Sequence, residues 1–566
     1  MRNLCTALHT TILKNACFFF MKKSVFLFVT SLGLLQSSMA QFKLPKVLLP
    51  AFKKDTINIQ QYGAVADGLT LNTKAINTAI AACSKKGGGV VLVPKGFWLT
   101  GPIVLQSNVN LHIANAALVQ FTADKSQYPL VEGNWEGLGS VRNQSPISAT
   151  NATNIAITGT GIVDGNGDAW RMVKKDKLTE SQWKKLVASG GLLSADKKTW
   201  YPSEQSFKGS QVKDAGVIKN GQTAKDFEEI KDFLRPNLLV LTKCNKILLE
   251  GVTFQNSPAW NLHPLMSENI TIRNVYAKNP WYAQNGDGLD LESCKNVLVE
   301  NSTFDVGDDG ICIKSGRDAQ GRKRGMPTEN VTIKNCVVYH AHGGFVIGSE
   351  MSGGAKNINV TDCTFIGTDI GLRFKTTRGR GGIVENIFCN NIYMKDIVGE
   401  AILFDMYYMA KDPVPLVGEQ RDAPKVVLLP VTEETPQFKN FVVKNVVCDG
   451  AEKAIFFRGL PEMNVQQIAL ENITIQADKG IICEEASNIS LKNVHLITKQ
   501  TNPVVSIVNS KNILFDALQY NNNATLLFNL SGANSKSIKV INTNISKTTK
   551  QVEFLNDANA SMLQFQ

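Results

Sequence analysis

No Cys-x-x-Cys pair occurs in this sequence, which removes the commonest zinc and dithiol spacings. No lysine- and arginine-rich run of the nucleic-acid type is present, so no nucleic-acid partner is expected. Beyond residue 40 no stretch has 18 uninterrupted apolar residues, so no membrane span is expected in the mature chain. The Trp-Asp signature of propeller blades and the leucine-rich consensus are missing too. What remains is ordinary in bulk: 43% hydrophobic and 19% charged residues, with a formal net charge of +11. A basic balance suits an anionic partner, but a merely solvated surface has the same composition.

The first 40 residues contain four basic residues and no acidic one, so their removal leaves a charge of +7. Met21-Lys22-Lys23 gives a basic start and Ser24 to Leu35 a short apolar segment. Ser38-Met39-Ala40 puts small residues at −3 and −1 of a cleavage site. That is the pattern of a secretory signal peptide. Residues 1–40 are therefore read as a leader with its true start at Met21. Residues 41–566 are read as one domain, exported to the periplasm or the exterior. Nine cysteines follow the leader, an odd and sparse set for a disulfide scaffold. Several recur about one repeat apart, which fits stacking as small buried hydrophobes.

From Asn72 to Cys83 apolar residues fall at helical spacing behind a Thr/Asn start, which predicts an amphipathic helix. Gly87-Gly88-Gly89 ends it, and Val90 to Val93 reads as a strand. One helix ahead of many strands would cap the open end of a solenoid. A repeat then begins: an Asn followed by a short alternating strand, often with a second Asn and strand behind it. Examples are Asn154-Ile155-Ala156-Ile157, Asn296-Val297-Leu298-Val299, Asn330-Val331-Thr332-Ile333 and Asn488-Ile489-Ser490-Leu491. Neighbours are mostly 21 to 34 residues apart. The 54-residue gap from Ile387 to Phe441 is expected to hold two coils, one through Glu400 to Phe404. Short β repeats of this length without helices fit an all-β, single-domain, right-handed parallel β-helix. In such a coil like residues stack ~4.8 Å apart. The Asn-X-Thr triplets at Asn269, Asn330, Asn359 and Asn472 are read as turn residues rather than glycosylation sites. One insertion, about 171–235, turns polar and lysine-rich, with a short helix at Glu180 to Val187. It could wall one end of a groove or be a solvated excursion.

The chemistry gathers between Asn285 and Lys375. Arg373-Phe374-Lys375 on a strand sends Phe374 inward and both cations outward, ~7 Å apart, as a clamp for a carboxylate. Asp308 and Asp309 are adjacent, and the flanking Gly307 and Gly310 would permit a turn or bulge that aims both outward. Crowded carboxylates raise one pKa and so hold a proton for general-acid work. A turn, or a calcium ligand pair, would also account for an isolated Asp-Asp. Asp287 lies 21 residues earlier, about one coil, and His342 about one coil later.

Asn285-Gly286-Asp287, Gly307-Asp308-Asp309, His342-Gly343 and Arg373-Phe374-Lys375, in this order, resemble the polygalacturonases of glycoside hydrolase family 28. Tyr62-Gly63-Ala64 with Asp67-Gly68 resembles the first coil of pectin-degrading β-helices. The resemblance implies inverting hydrolysis of α-1,4-galacturonosyl linkages in an acidic polysaccharide, pectin or polygalacturonate. It makes Asp308 the acid, Asp287 and Asp309 the groups that activate water, and His342 the support of the acid. Arg373 and Lys375, beside Asn285, would hold the substrate carboxylate. It calls for no metal and no cofactor, and a monomer is expected. Gly286 and Ala341 depart from the family's usual residues, but neither carries a reacting group. Gly310 to Asp318 resembles exo-acting bacterial members, in which Lys314 and Arg317 would add cations for a terminal sugar. Trp260, His263 and Trp281-Tyr282 would line the groove. The alternatives are another pectic linkage such as rhamnogalacturonan, an endo-acting enzyme, a lyase with calcium and a basic residue, or a non-catalytic polyanion-binding β-helix.

Overall fold

The computed structural model describes residues 44–219, 221–409 and 428–566. The leader therefore lies outside the described residues. The chain is a right-handed parallel β-helix, the hand that connections between parallel strands take. Strands of successive coils pair in register. Ile270 meets Val297, then Val331, Ile358, Ile387, Phe441, Ile468 and Ile489. Because a strand's side chains alternate, this register keeps one file of each strand inside the coil and the other outside. The helix Thr73–Lys85 covers the first coils, burying Ile76, Ala79, Ile80 and Cys83. The buried amide of Asn72 locks its start, bonding to the carbonyls of Val65, Thr70 and Leu99.

The repeat asparagines stand at the bends, in the left-handed backbone region: φ is 55° at Asn296, 58° at Asn330 and Asn357, and 59° at Asn386. Asparagine tolerates this conformation better than other non-glycine residues. Its amide also donates to the asparagine one coil earlier. Asn330 bonds to Asn296 at 3.1 Å, Asn357 to Asn330 at 3.2 Å and Asn386 to Asn357 at 3.1 Å. Three of the Asn-X-Thr residues, Asn269, Asn330 and Asn472, belong to such bends. Asn359 does not; it is buried within the strand Ala355–Ile366. The nine cysteines are buried and unpaired, as their spacing suggested.

The gap between Ile387 and Phe441 holds one coil, not two. Strand Ile383–Lys395 pairs directly with Gln437–Asp449, and Glu400–Asp405 forms another side of the same coil. Part of the intervening length, residues 410–427, lies outside the described residues.

Between residues 171 and 235 the chain leaves the coils. A small antiparallel sheet (Val173–Lys174, Leu192–Leu193, Thr199–Tyr201) packs with helix Glu180–Ala188 around Val173, Trp183 and Trp200. Thr179 and Gln182 close a capping box at the start of that helix. A second small core, Val141, Phe227 and Leu234, joins the end of this segment to an antiparallel hairpin, Leu130–Trp135 with Leu138–Asn143.

Candidate active site

The site lies on the outer face of the sheet that runs through Leu289–Glu292, Asp309–Lys314, Gly343–Ile347 and Leu372–Lys375. Its floor is the inward file of the same strands. Phe345 and Phe374 meet edge to face there at 6.2 Å, and Phe374 continues on to Phe404 and Phe457 of the next two strands of the sheet, with centroids 4.6 and 5.2 Å apart. Burying each ring stabilises the coil by about 2–3 kcal/mol and fixes the outward residues between them. Phe374 is fully buried and sets Arg373 and Lys375 on the opposite face.

Asp287, Asp308 and Asp309 each present one carboxylate oxygen, and the three atoms lie within 4.8 Å of one another. Asp309 begins its strand and Asp308 precedes it. Gly307 and Gly310 serve by size rather than by an unusual φ. A Cβ on Gly307 would sit 2.6 Å from the carbonyl of Pro280, and one on Gly310 would strike Val338. Asp308 is 22% exposed and receives the backbone N–H of Asn285 at 3.1 Å. Asn285 takes the left-handed backbone, and its side-chain oxygen accepts from the buried Arg235 at 2.9 Å. His342 Nδ1 lies 3.1 Å from Asp308 Oδ1, and Nε2 lies 3.7 Å from Asp369. The Asp308 hydrogen bond raises the imidazole pKa above its ordinary value, with further help from the nearby carboxylates.

Three crowded carboxyls cannot all ionise freely. Burial, then Asp290 and Asp308, push Asp287 well above the carboxylate range, and its Oδ1 has no partner. Burial acts on Asp309 in the same direction, but Lys375, Arg373 and Lys314 outweigh it and hold that carboxyl below its usual range. Lys375 Nζ is 2.7 Å from Asp309 Oδ2 and Arg373 Nη1 is 3.4 Å from Oδ1. The two cations thus face the third aspartate here. The trio could hold a hard cation by donor type. Asp309 is already neutralised, however, so such an ion would meet two fixed positive charges.

Most of the remaining sequence candidates are tied to protein partners. Lys314 is buried, 3.0 Å from Glu350 and 3.6 Å from Asp290. His263 is buried between Asn237 and Glu292, at 3.1 and 3.0 Å. Arg317 pairs with Glu136 at 3.3 Å and with Asp318 at 3.5 Å. Trp260 is covered by Trp135, stacked at 5.5 Å, whereas Trp281 is exposed with Lys177 over its ring at 5.0 Å. Sequence reasoning missed the Leu130–Asn143 hairpin, whose tip meets Arg317 through the Gly137 carbonyl at 3.2 Å. It also gave no role to Glu350, Asp290 or Arg235, which lie buried around these residues.

A carboxylate trio with a linked histidine, on the open face of a parallel β-helix, defines a carbohydrate-hydrolase type of site. The family model of glycosyl hydrolases family 28 matches residues 219–453, and one described as rhamnogalacturonase A/epimerase, pectate lyase-like, matches residues 56–182. An exopolygalacturonase structure from Thermotoga maritima is 30% identical with a TM-score of 0.63, covering 80% of this chain and 94% of that one. An exo-poly-alpha-D-galacturonosidase of Dickeya chrysanthemi is 30% identical over 62% of this chain and 57% of its own length. An endo-polygalacturonase of Pectobacterium carotovorum is 28% identical over 60% of this chain and 73% of its own. The chain belongs to glycosyl hydrolases family 28. It is an enzyme, a glycosyl hydrolase. Among the described residues no helix is long and apolar enough to cross a membrane.

Proposed function

We propose that this enzyme is exported and hydrolyses α-1,4-galacturonosyl linkages of polygalacturonate from a chain end, with inversion. The observation that carries the reading is the Asp287/Asp308/Asp309 trio, with one member free to face a substrate and one held anionic. Asp308 is the most exposed of the three and is the acid that protonates the leaving oxygen. The anionic Asp309 orients the attacking water and takes its proton, with Asp287 beside it. His342, its pKa raised, is the reservoir that returns a proton to Asp308 after turnover. Arg373 keeps an exposed edge for the substrate carboxylate while Lys375 stays on Asp309.

An inverting pair leaves ~6.5–9.5 Å between its carboxyl groups for the attacking water. In this reading that water sits against Asp287 and Asp309. Proton NMR of the first product tests it: the β anomer is expected, and the α anomer would overturn inversion.

The exo reading is supported by the wall. The hairpin Leu130–Asn143, the 171–235 insertion and the loop after Lys314 meet at one end of the groove. A time course on polygalacturonate is the test. Galacturonate monomer from the start, with slow loss of viscosity, is expected. A ladder of oligomers with rapid loss would make the enzyme endo-acting. Rhamnogalacturonan is a second reading, favoured by the match over residues 56–182, and belongs in the same assay as an alternative substrate.

A further inference from the structure

Beside the catalytic trio the enzyme buries further acid. Asp290 is fully buried, and neither of its carboxylate oxygens has a hydrogen-bond partner. Glu350, also buried, follows the strand Gly343–Ile347. The cation among these groups is Lys314, the last residue of the strand Asp309–Lys314. Its Nζ is 3.0 Å from Glu350 Oε2 and 3.6 Å from Asp290 Oδ1, and it packs over the ring of the buried Trp260 at 4.9 Å. Its side chain is 5% exposed, which leaves little surface for a sugar. The other charged groups nearby have partners of their own. Glu292, opposite Lys314 in the sheet, is held by His263 and Arg324. Asp309 has Lys375 and Arg373, and Asp308 has His342. Glu136 has Arg142 and Arg317 beside it, and Arg380 meets both Asp318 and Glu350. Cys312, on the same strand, is a thiol that burial pushes well above its ordinary range. Lys314 thus offers one ammonium to three acids: Glu350, Asp290 and Asp287. An ammonium within ~4–6 Å lowers a carboxyl pKa by about 1–3. Burial would raise Glu350, but Lys314 and then Arg380 outweigh it and hold that carboxyl at about 2. Burial pushes Asp287 and Asp290 well above the carboxylate range, and Lys314 is a charge that opposes it.

We propose that Lys314 is a positioning residue that binds no sugar and instead fixes how many protons the carboxyls in and beside the trio hold, keeping the water-activating side of the trio ready to accept a proton. This rests on the galacturonan-hydrolase reading above. The test is the pH dependence of kcat/KM on polygalacturonate for wild type, Lys314→Met and Glu350→Gln. Its acid limb reports the base of the free enzyme. Loss of the ammonium is expected to move that limb up by about one pH unit or more. Loss of Glu350 frees the ammonium for Asp290 and Asp287 and is expected to move the limb down. A merely structural role would not give opposite movements. A limb that stays in place in Lys314→Met, or that moves the same way in both variants, overturns the proposal. So does a KM raised about tenfold with an unmoved limb, the mark of a substrate ligand. If Lys314→Met does not fold, Glu350→Gln decides alone: a lower limb supports the proposal, and an unmoved or higher one overturns it. If wild type hydrolyses no galacturonan, the functional reading fails. The proton count is then read from the infrared carbonyl band of protonated carboxyls at neutral pH. A larger band in Lys314→Met supports the role of Lys314, and an equal band refutes it.

Discussion

Two histidine–carboxylate pairs lie on the same face of the coil and have opposite characters. His263 is 1% exposed, with one ring nitrogen on Asn237 and the other on Glu292. Glu292 is in turn gripped by Arg324 at 2.6 Å. Both ring nitrogens of His263 and both carboxylate oxygens of Glu292 have protein partners, and the pair is closed. His342 is 44% exposed, and its Asp308 stands in a crowd of carboxyls with only partial compensation. The residue types are the same. The difference lies in what surrounds them: a satisfied network stabilises the coil, and an unsatisfied one is available for chemistry.

The strongest way to break this contrast is Asp308→Asn. The rate should fall about 10³-fold, the range of a lost general acid, with little change in the denaturation midpoint. A variant that loses stability and keeps its rate would make Asp308 the counterpart of Glu292. The converse is Glu292→Gln, which leaves the buried His263 and the partly buried Arg324 around a neutral group. A loss of about 3 kcal/mol is expected by denaturant titration, with kcat retained by the folded fraction. Burial would raise Glu292, but His263 and Arg324 hold its pKa below the ordinary value. A lowered carboxylate pKa adds stability that is present above the unfolded value and is lost as pH falls through the folded one. The variant should therefore lose part of the wild type's acid sensitivity.

His342→Gln comes next, with kcat lower by about 10- to 100-fold. The pKa of His342 is raised in the folded enzyme, chiefly by its hydrogen bond to Asp308. Its stabilising contact is complete below the unfolded value near 6.5 and disappears as pH rises through the higher folded value. The alkaline limb of the wild-type kcat profile should follow the same titration and be absent from the glutamine variant. If both profiles share that limb, His342 is not the proton reservoir.

How far the sequence carries this contrast depends on the range of the interactions. The β-helix was legible because its signal is local and repeated: an Asn at each left-handed bend and an apolar alternation behind it. Asp287, Asp308, Asp309 and His342 were legible because coil spacing turns sequence intervals into neighbours. His263 was not readable in this way. Its enclosure depends on Glu292, 29 residues on, and Arg324, which reaches Glu292 from a helix outside the coil. The hairpin was hidden for a similar reason. Its strands are polar and glycine-rich, and they are held by residues of the insertion about 70 to 90 positions later. Glycines 307 and 310 suggested a turn, but crowding by Pro280, Trp281 and Val338 requires them.

A third pair gives the smallest effect and the sharpest control. His340 Nδ1 is 2.9 Å from Asp305 Oδ1, a better contact by distance than that of His342. Yet His340 is 59% exposed, at a left-handed bend with φ of 58°. The chain turns there between strand Val337–Tyr339 and strand Gly343–Ile347, so histidines two positions apart meet different fates. Water screens the exposed pair, and holding two side chains together costs entropy that offsets the attraction. His340→Asn keeps a residue that tolerates the bend and removes only the ring. Its stability should change by less than about 1 kcal/mol and its kcat by less than twofold. A larger rate effect would mean that proximity in sequence to His342, rather than contact with the carboxylate trio, is what makes a histidine matter here.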